Sequence, residues 1–330
     1  MRTLIITNMY PDAFAPYLGT FVRDTLDFFG EEVDLVYPGN SIRKRKVYFY
    51  WLLFCSAFLR VFRAERVVFH YPLFFSPLIL FSRLLRRKVV LVYHGGEFME
   101  RPWSNSLFRF YQRLTMKLNN WCADDILLPS EFVSKAYFRE WENKVCVWYS
   151  GGVSVPEGLS CTSFDFDFVF VGRNSEEKGY DCFLKAIEAK EVQDSESLIA
   201  IVSRGVTVPY VKCVGNLNVH FFPAMSQEQI ALFISRSRFI VIPSRAESLC
   251  LLALEAASVG VVVLARGLEP INETLGDAAF YFDQDNELPK LMAHVANFDF
   301  DRWHINSSKL QSISKEFNRK VIHEKFDKQK

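Results

Sequence analysis

Two short segments concentrate side chains that could hold an anion and a polyol. The first is Phe170-Val171-Gly172-Arg173-Asn174-Ser175-Glu176-Glu177-Lys178-Gly179. An apolar run ends in Gly172, which allows backbone to approach a ligand closely. A helix start follows, whose N-terminus favours anions, and Arg173 and Lys178 can pair with phosphate oxygens. The same residues also read as an ordinary strand-to-helix loop with solvated charges. The second segment runs from Pro243-Ser244-Arg245-Ala246-Glu247-Ser248-Leu249-Cys250 into Leu251-Leu252-Ala253-Leu254-Glu255-Ala256-Ala257. Glu247 falls in a turn, Ser248 can cap the helix that follows, and Glu255 sits two turns into an otherwise apolar helix. A carboxylate there is costly to bury without partners. Two ribose hydroxyls would serve, as would a nearby Arg or Lys. His94 closes a strand in Tyr93-His94-Gly95-Gly96-Glu97 and on these residues alone reads as structural. Asp165-Phe166-Asp167 and Asp299-Phe300-Asp301 imitate an acidic metal-binding pair, but both read as solvated charges, and no catalytic metal is expected.

Strand ends and helix starts must hold these residues, and the apolar runs supply them. Strands are expected at Thr3–Thr7, Val33–Tyr37, Val67–His70, Val89–His94, Asp125–Pro129 and Val145–Tyr149, with helices at Thr20–Phe29, Ser106–Asn119 and Ser130–Trp141. The pattern restarts at Phe166–Gly172. Strands follow at Ser197–Val202, Val219–Phe222, Phe239–Pro243 and Val261–Ala265, with helices at about 178–190, 226–236 and 248–258. Such alternation predicts parallel βαβ layers in an α/β fold. Gly, Ser, Pro and Thr cluster over Gly151–Ser163, where two units would meet. The expected division is 1–158, 159–310 and a polar helical tail over 311–330 that could pack back on the N-terminal domain.

The G-R-x(4)-K-G element followed about 70 residues later by P-S-x-x-E-S-x(6)-E-A resembles the retaining GT-B glycosyltransferases of the glycosyltransferase 4 family. Their E-x(7)-E motif matches Glu247 and Glu255. Ser150-Gly151-Gly152-Val153 is similar to the family's interdomain junction, and Tyr10-Pro11 … Gly19-Thr20-Phe21-Val22 to its first loop. The resemblance implies a GT-B architecture, two Rossmann-like α/β/α domains facing a central cleft. It implies that Arg173 and Lys178 hold the donor diphosphate beside Gly172, and that Glu247 touches the donor sugar. Amides at Ser248, Leu249 and Cys250 would meet sugar or phosphate, and Glu255 would take the ribose hydroxyls. His94 would lie near the reacting sugar, and Gly19 would let the first loop close over phosphate. The implied reaction is metal-independent transfer, with retention, of a sugar from a nucleotide-diphosphate sugar to a glycan or lipid-linked acceptor in bacterial surface polysaccharide synthesis. The nucleotide-diphosphate sugar is a substrate, and no cofactor is implied. Two rivals are a GT-B nucleotide-sugar epimerase and a non-catalytic nucleotide-sugar-binding subunit.

The 330 residues suit two domains, and half are apolar, enough for sizeable cores. With 39 Lys+Arg against 38 Asp+Glu, the chain is neither a globally basic nucleic-acid binder nor an acidic disordered segment. Charge is uneven: residues 35–123 hold 15 basic and 3 acidic residues, 15 − 3 = +12. Arg43-Lys44-Arg45-Lys46 precedes Val47-Tyr48-Phe49-Tyr50-Trp51-Leu52-Leu53-Phe54, and Arg83, Arg86, Arg87 and Lys88 form a second cluster. Basic residues beside Trp, Tyr and Phe suit an anionic membrane surface; a core helix with a solvated rim is the alternative. Seven unpaired-looking Cys and no signal peptide point to a cytoplasmic chain, peripheral at the inner face of the plasma membrane.

Overall fold

The computed structural model describes residues 1–13, 15, 18–30, 32–42, 45–99, 105–154, 164–298 and 300–328. Arg43, Lys44, Asp299 and most of the expected junction, 155–163, lie outside the described residues. The chain divides into two compact units, Met1–Gly151 and Gly152–Lys330.

In the first unit six strands form one sheet: β1 (Thr3–Ile6), β2 (Val33–Val36), β3 (Arg66–His70), β4 (Lys88–Val92), β5 (Asp125–Leu128) and β6 (Val145–Val147). Their order is β2-β1-β3-β4-β5-β6, with every neighbouring pair parallel. Parallel strands are covered on both faces, so they read as continuous apolar runs; all residues of β1 and β3 are buried. The crossover helices are α1 (Thr20–Phe29), α2 (Lys46–Val61), α3 (Ser76–Leu84), α4 (Ser106–Cys122) and α5 (Glu131–Tyr137). Asn105 caps α4 by accepting the Phe108 N–H, and Ser130 caps α5 by accepting that of Val133. Because β2 and β3 lie on opposite sides of β1, the strand order reverses there. Ligands of open α/β sheets gather outside the strand C-termini at such a point. The loop after β1 and the residues after β3 and β4 meet at that edge.

The second unit holds β7 (Phe166–Val171), β8 (Ile199–Val202), β9 (Tyr210–Val214), β10 (Leu217–Phe222), β11 (Ser237–Ile242), β12 (Val262–Arg266) and β13 (Phe280–Phe282). The order is β13-β12-β11-β7-β8-β10-β9, parallel except for the β9–β10 hairpin. The helices are α6 (Tyr180–Glu188), the one-turn α7 (Lys190–Gln193), α8 (Gln227–Ser235), α9 (Leu251–Ser258), α10 (Glu269–Leu275), α11 (Leu288–Ala296), α12 (Phe300–Glu316) and α13 (Arg319–Lys328). The tail helix α12 packs on α9 and β12 of its own unit. Its end is tied to the unit's start, where the Val153 N–H donates to the Phe317 carbonyl at 2.9 Å. Here the strand order reverses between β11 and β7. The two loops singled out from the sequence are the ones that leave those strands.

Asp165 and Asp167 are ion-paired rather than simply solvated, with Arg236 at 2.8 Å and Arg238 at 3.2 Å. Each carboxylate thereby closes a contact between β7 and β11, the pair of strands that must stay in register for the site above them.

Candidate active site

The loop after β7 begins at Gly172 and turns through one 3₁₀ turn, Glu176–Lys178, before α6 starts at Tyr180. Gly179 at the junction has φ 66°, and a Cβ there would collide with the Pro243 carbonyl oxygen of the loop after β11. The glycine is what lets the two loops touch. Across that contact Lys178 Nζ donates to Glu247 Oε1 at 2.7 Å, with side-chain exposures of only 27% and 11%. Burial pulls the Lys178 ammonium down, but Glu247 beside it outweighs that and holds its pKa above the ordinary value. The lysine is therefore a fixed cation at the strand-order reversal. Arg173, 48% exposed, reaches Glu177 Oε1 at 2.8 Å. That pair is worth little, and its solvent-facing guanidinium can exchange partners.

Sequence reasoning missed Arg245, although it stands inside the second segment. Its Nη1 donates to the Glu176 carbonyl at 2.8 Å, and its fork grips Asp181 at 2.6 and 2.9 Å. Nη2 also reaches Asp285 at 2.8 Å. Bidentate pairing with Asp181, then Asp285, pushes the Arg245 pKa up still further. Arg266 completes the network through Asp285. Arg245 thus clamps the Glu247 loop to the Lys178 turn. Its partners lie 64 and 40 residues away, so only an unpaired-charge argument at Asp181 and Asp285 could have suggested it.

Two expectations need correction. The motif helix begins at Leu251, not Ser248, and its N-cap is Cys250 in the left-handed region (φ 67°, ψ 70°), without a side-chain cap. Ser248 and Leu249 lie in the turn before it, so their amides precede the first helical turn. A left-handed Cys is strained by about 1–2 kcal/mol, and such strain concentrates at functional sites. Glu255 consequently sits one turn into α9 rather than two. It is half-buried and accepts from Gln227 Nε2, at the start of α8, at 2.8 Å. The Gln227 amide ties the carboxylate to the start of α8. Glu255→Gln should weaken binding of a nucleoside diphosphate by about 10-fold or more, since a hydrogen bond to a charged group is worth ~1.5–3 kcal/mol. Calorimetric titration of the folded variant checks this.

In the first unit, Gly19 caps α1 with φ 73°, and a Cβ would sit 2.9 Å from the Met9 backbone. The first loop therefore folds back against itself only with glycine there. His94 follows β4 and lies with Nε2 2.9 Å from His70 Nδ1 at the end of β3. The Phe21 ring of α1 lies tilted against the His94 ring with centroids 4.1 Å apart, and that of Tyr71 likewise at 4.7 Å. Buried Glu97 accepts the His94 and Gly95 N–H groups at 3.3 and 3.1 Å. Burial drives the His70 pKa down to about 3, and burial and then His70 push His94 well below its ordinary value. Both rings are neutral at physiological pH. His94 is thus half of a histidine pair, a partner that the lone-histidine reading lacked.

A depressed histidine pKa favours the unfolded chain as pH falls. Its stabilising share is intact above the unfolded value near 6.5 and is lost progressively from there toward about 3. From pH 7 to pH 5, His70 alone should cost the first unit ~2 kcal/mol. Urea unfolding should show this slope flattened in His70→Gln.

Arg45, Lys46 and Trp51 mark the exposed start of α2, with Trp51 at 59% exposure. The other side of this helix, Phe49, Leu53, Ala57 and Val61, is core. One face therefore packs inside, as a core helix does, and the opposite face leaves Val47, Trp51 and Leu59 exposed. Among the described residues no helix is long and apolar enough to cross a membrane.

Known proteins share features of this chain. Residues 165–297 match the family model described as Glycosyl transferases group 1. A relative from Klebsiella pneumoniae, described as an uncharacterized 41.2 kDa protein in cps region, is 27% identical over 242 residues, 67% of this chain and 66% of that one. An uncharacterized glycosyltransferase from Methanocaldococcus jannaschii is 24% identical over 200 residues, 59% of this chain and 54% of that one. The matched regions therefore span just under two thirds and about half of those relatives. Among solved structures, Anabaena HepE in complex with UDP-glucose superposes with TM-score 0.75 at 14% identity over 100% of this chain and 99% of that one. Sucrose-phosphate synthase from Thermosynechococcus elongatus gives 0.70 at 14% identity over 100% and 98%. The fold is GT-B, two Rossmann-like α/β domains, and the second carries the match to the group 1 glycosyltransferases.

Proposed function

We propose that the protein is a retaining glycosyltransferase that moves a sugar from a nucleotide-diphosphate sugar to a glycan or lipid-linked acceptor in bacterial surface polysaccharide synthesis. The observation that carries this reading is the Lys178–Glu247 contact at the β7/β11 reversal, with Glu255 one turn into the next helix. It lies within the segment that matches the group 1 glycosyltransferases. Glu255 takes the ribose hydroxyls, and Glu247 orients the sugar while fixing Lys178. As the sugar–phosphate bond breaks, its electron pair passes to the departing diphosphate. Lys178, Arg173 and the amides leading into α9 stabilise that charge, an interaction stronger in the transition state than before it. The acceptor hydroxyl attacks from the face the diphosphate leaves and passes its proton to the departing diphosphate oxygen as the new bond forms. With these cations in place no divalent metal is called for, so EDTA should leave transfer intact. His94, held neutral by burial and then by His70, can exchange a hydrogen bond with a sugar hydroxyl without adding charge. The apolar, basic surface of the first unit keeps the enzyme at the inner face of the plasma membrane.

A panel of nucleotide sugars tests the reading. Nucleoside diphosphate release with transfer or hydrolysis supports it. Interconversion of the sugar would make the protein an epimerase, and binding without turnover a non-catalytic subunit.

A further inference from the structure

The opposite edge of the first sheet carries a cationic site that the donor chemistry does not use. Arg83, Arg86, Arg87, Lys88 and Asp124 line an open cavity of about 510 Å³. Lys88 opens β4, whereas His94 follows its far end. The C-terminal ends of three helices reach this cavity. Arg83, in the last turn of α3, pairs with Asp124, just past α4, at 2.8 Å. Arg87 Nη2 donates to the carbonyl of Phe62, just past α2, at 2.9 Å. Lys88 pairs with Asp125 at 2.9 Å. Two carboxylates thus offset two cations. Arg86 has no ion pair among the described residues, and Arg87 Nε is buried without a hydrogen-bond partner.

Cations at a helix C-terminus are ordinary, since the helix dipole favours them. That does not account for the backbone of Arg86, which is left-handed at φ 55°. Its N–H and that of Arg87 close α3 on the carbonyls of Arg83 and Ser82 at 2.9 and 3.0 Å. Glycine is the usual residue in this position because a Cβ is strained there. The arginine therefore adds charge at the expense of the fold.

Helix α4 is inverted beside it. Its buried face carries Gln112, Thr115, Asn119 and Asn120. Its exposed face carries Leu107, Phe110, Leu114, Leu118 and Trp121 at helical spacing, with Trp121 65% exposed. The helix holds Arg109, Arg113 and Lys117 and no acidic residue. Lys144 ties its end near the cavity by donating to the Trp121 and Ala123 carbonyls at 3.1 and 2.8 Å. Exposed Phe62 and Leu84 close the other two helices.

We propose that this face docks on an anionic phospholipid surface, with a headgroup phosphate seated between Arg86 and Arg87 and the apolar stripe of α4 laid against the acyl boundary. Cationic charge and apolar area together are what stable interfacial binding takes. The inference rests on the membrane part of the reading above and is independent of the donor chemistry.

Arg86→Gly tests it, because the substitution relieves strain while removing the charge. The parent should co-sediment with vesicles of phosphatidylglycerol and phosphatidylcholine, and far less with phosphatidylcholine alone. Arg86→Gly should bind the mixed vesicles about fivefold more weakly, one surface charge's worth, while its Tm stays level or rises. Trp121→Ser should weaken binding as well. Nucleoside diphosphate affinity, measured in parallel, should be unchanged in both variants. Unaltered vesicle binding by Arg86→Gly overturns the proposal. If, in addition, replacing Arg43, Lys44, Arg45 and Lys46 with Ser abolishes binding, the membrane contact lies at the start of α2 instead. A parent that ignores vesicles but is stabilised by inorganic phosphate, with Arg86→Gly insensitive, would make the cavity a free-anion site. No vesicle binding with nucleotide-sugar turnover intact would remove the membrane reading and leave the enzyme.

Discussion

In Lys178→Ala, turnover should fall at least a hundredfold, with donor affinity falling far less. The lysine is half-buried at the strand-order reversal, held charged by Glu247 at 2.7 Å. A fixed cation does most for a leaving group as its charge appears, and one such preorganised contact is worth ~3–4 kcal/mol in the transition state. The variant also strands Glu247, which is only 11% exposed, without its cation. Some loss of stability should accompany the loss of rate, and thermal unfolding separates the two. Kinetics resolve the role: equal falls in kcat and kcat/KM mark a contact made in the transition state, whereas a raised KM at constant kcat marks simple anchoring.

Gly179→Ala should damage the second unit severely for a single added methyl group. The backbone at φ 66° disfavours an L-residue by ~1–2 kcal/mol. The added Cβ would also meet the Pro243 carbonyl, a backbone atom that cannot swing aside as a side chain can. A total cost of ~3 kcal/mol or more is expected, read as a large drop in the urea midpoint. Separation of the two loops should remove nucleotide binding even in the folded fraction. Gly205→Ala is the control, with nothing within 4 Å of its Cβ position, and should be near neutral.

The alternation of elements was legible because buried parallel strands write themselves as apolar runs, and Gly19 and Gly172 punctuate them. Helix α1 falls at Thr20–Phe29 as the spacing predicts. The start of α9 did not, because Ser248 has the chemistry of a cap while Cys250 occupies the capping position in a conformation its side chain disfavours. The β9–β10 hairpin was half seen. β10 buries every second residue, but four of the five residues of β9 are exposed, so no apolar run announces it. At the site, the sequence put Lys178 and Glu247 on strand-end loops. What brings them together is β11 lying beside β7, a long-range pairing that local pattern does not encode. Arg245 was invisible for the same reason, and His94 looked solitary because His70 is on a different strand.

The most direct test of the central claim, a nucleotide-sugar site at the β7/β11 reversal, is release of nucleoside diphosphate from a panel of nucleotide sugars by the parent and by Lys178→Ala, in EDTA. Release from at least one donor by the parent, nearly abolished in a folded Lys178→Ala that still binds that donor, is the expected result. Failure of the parent to release from any donor, or release unaffected by loss of Lys178, would contradict it.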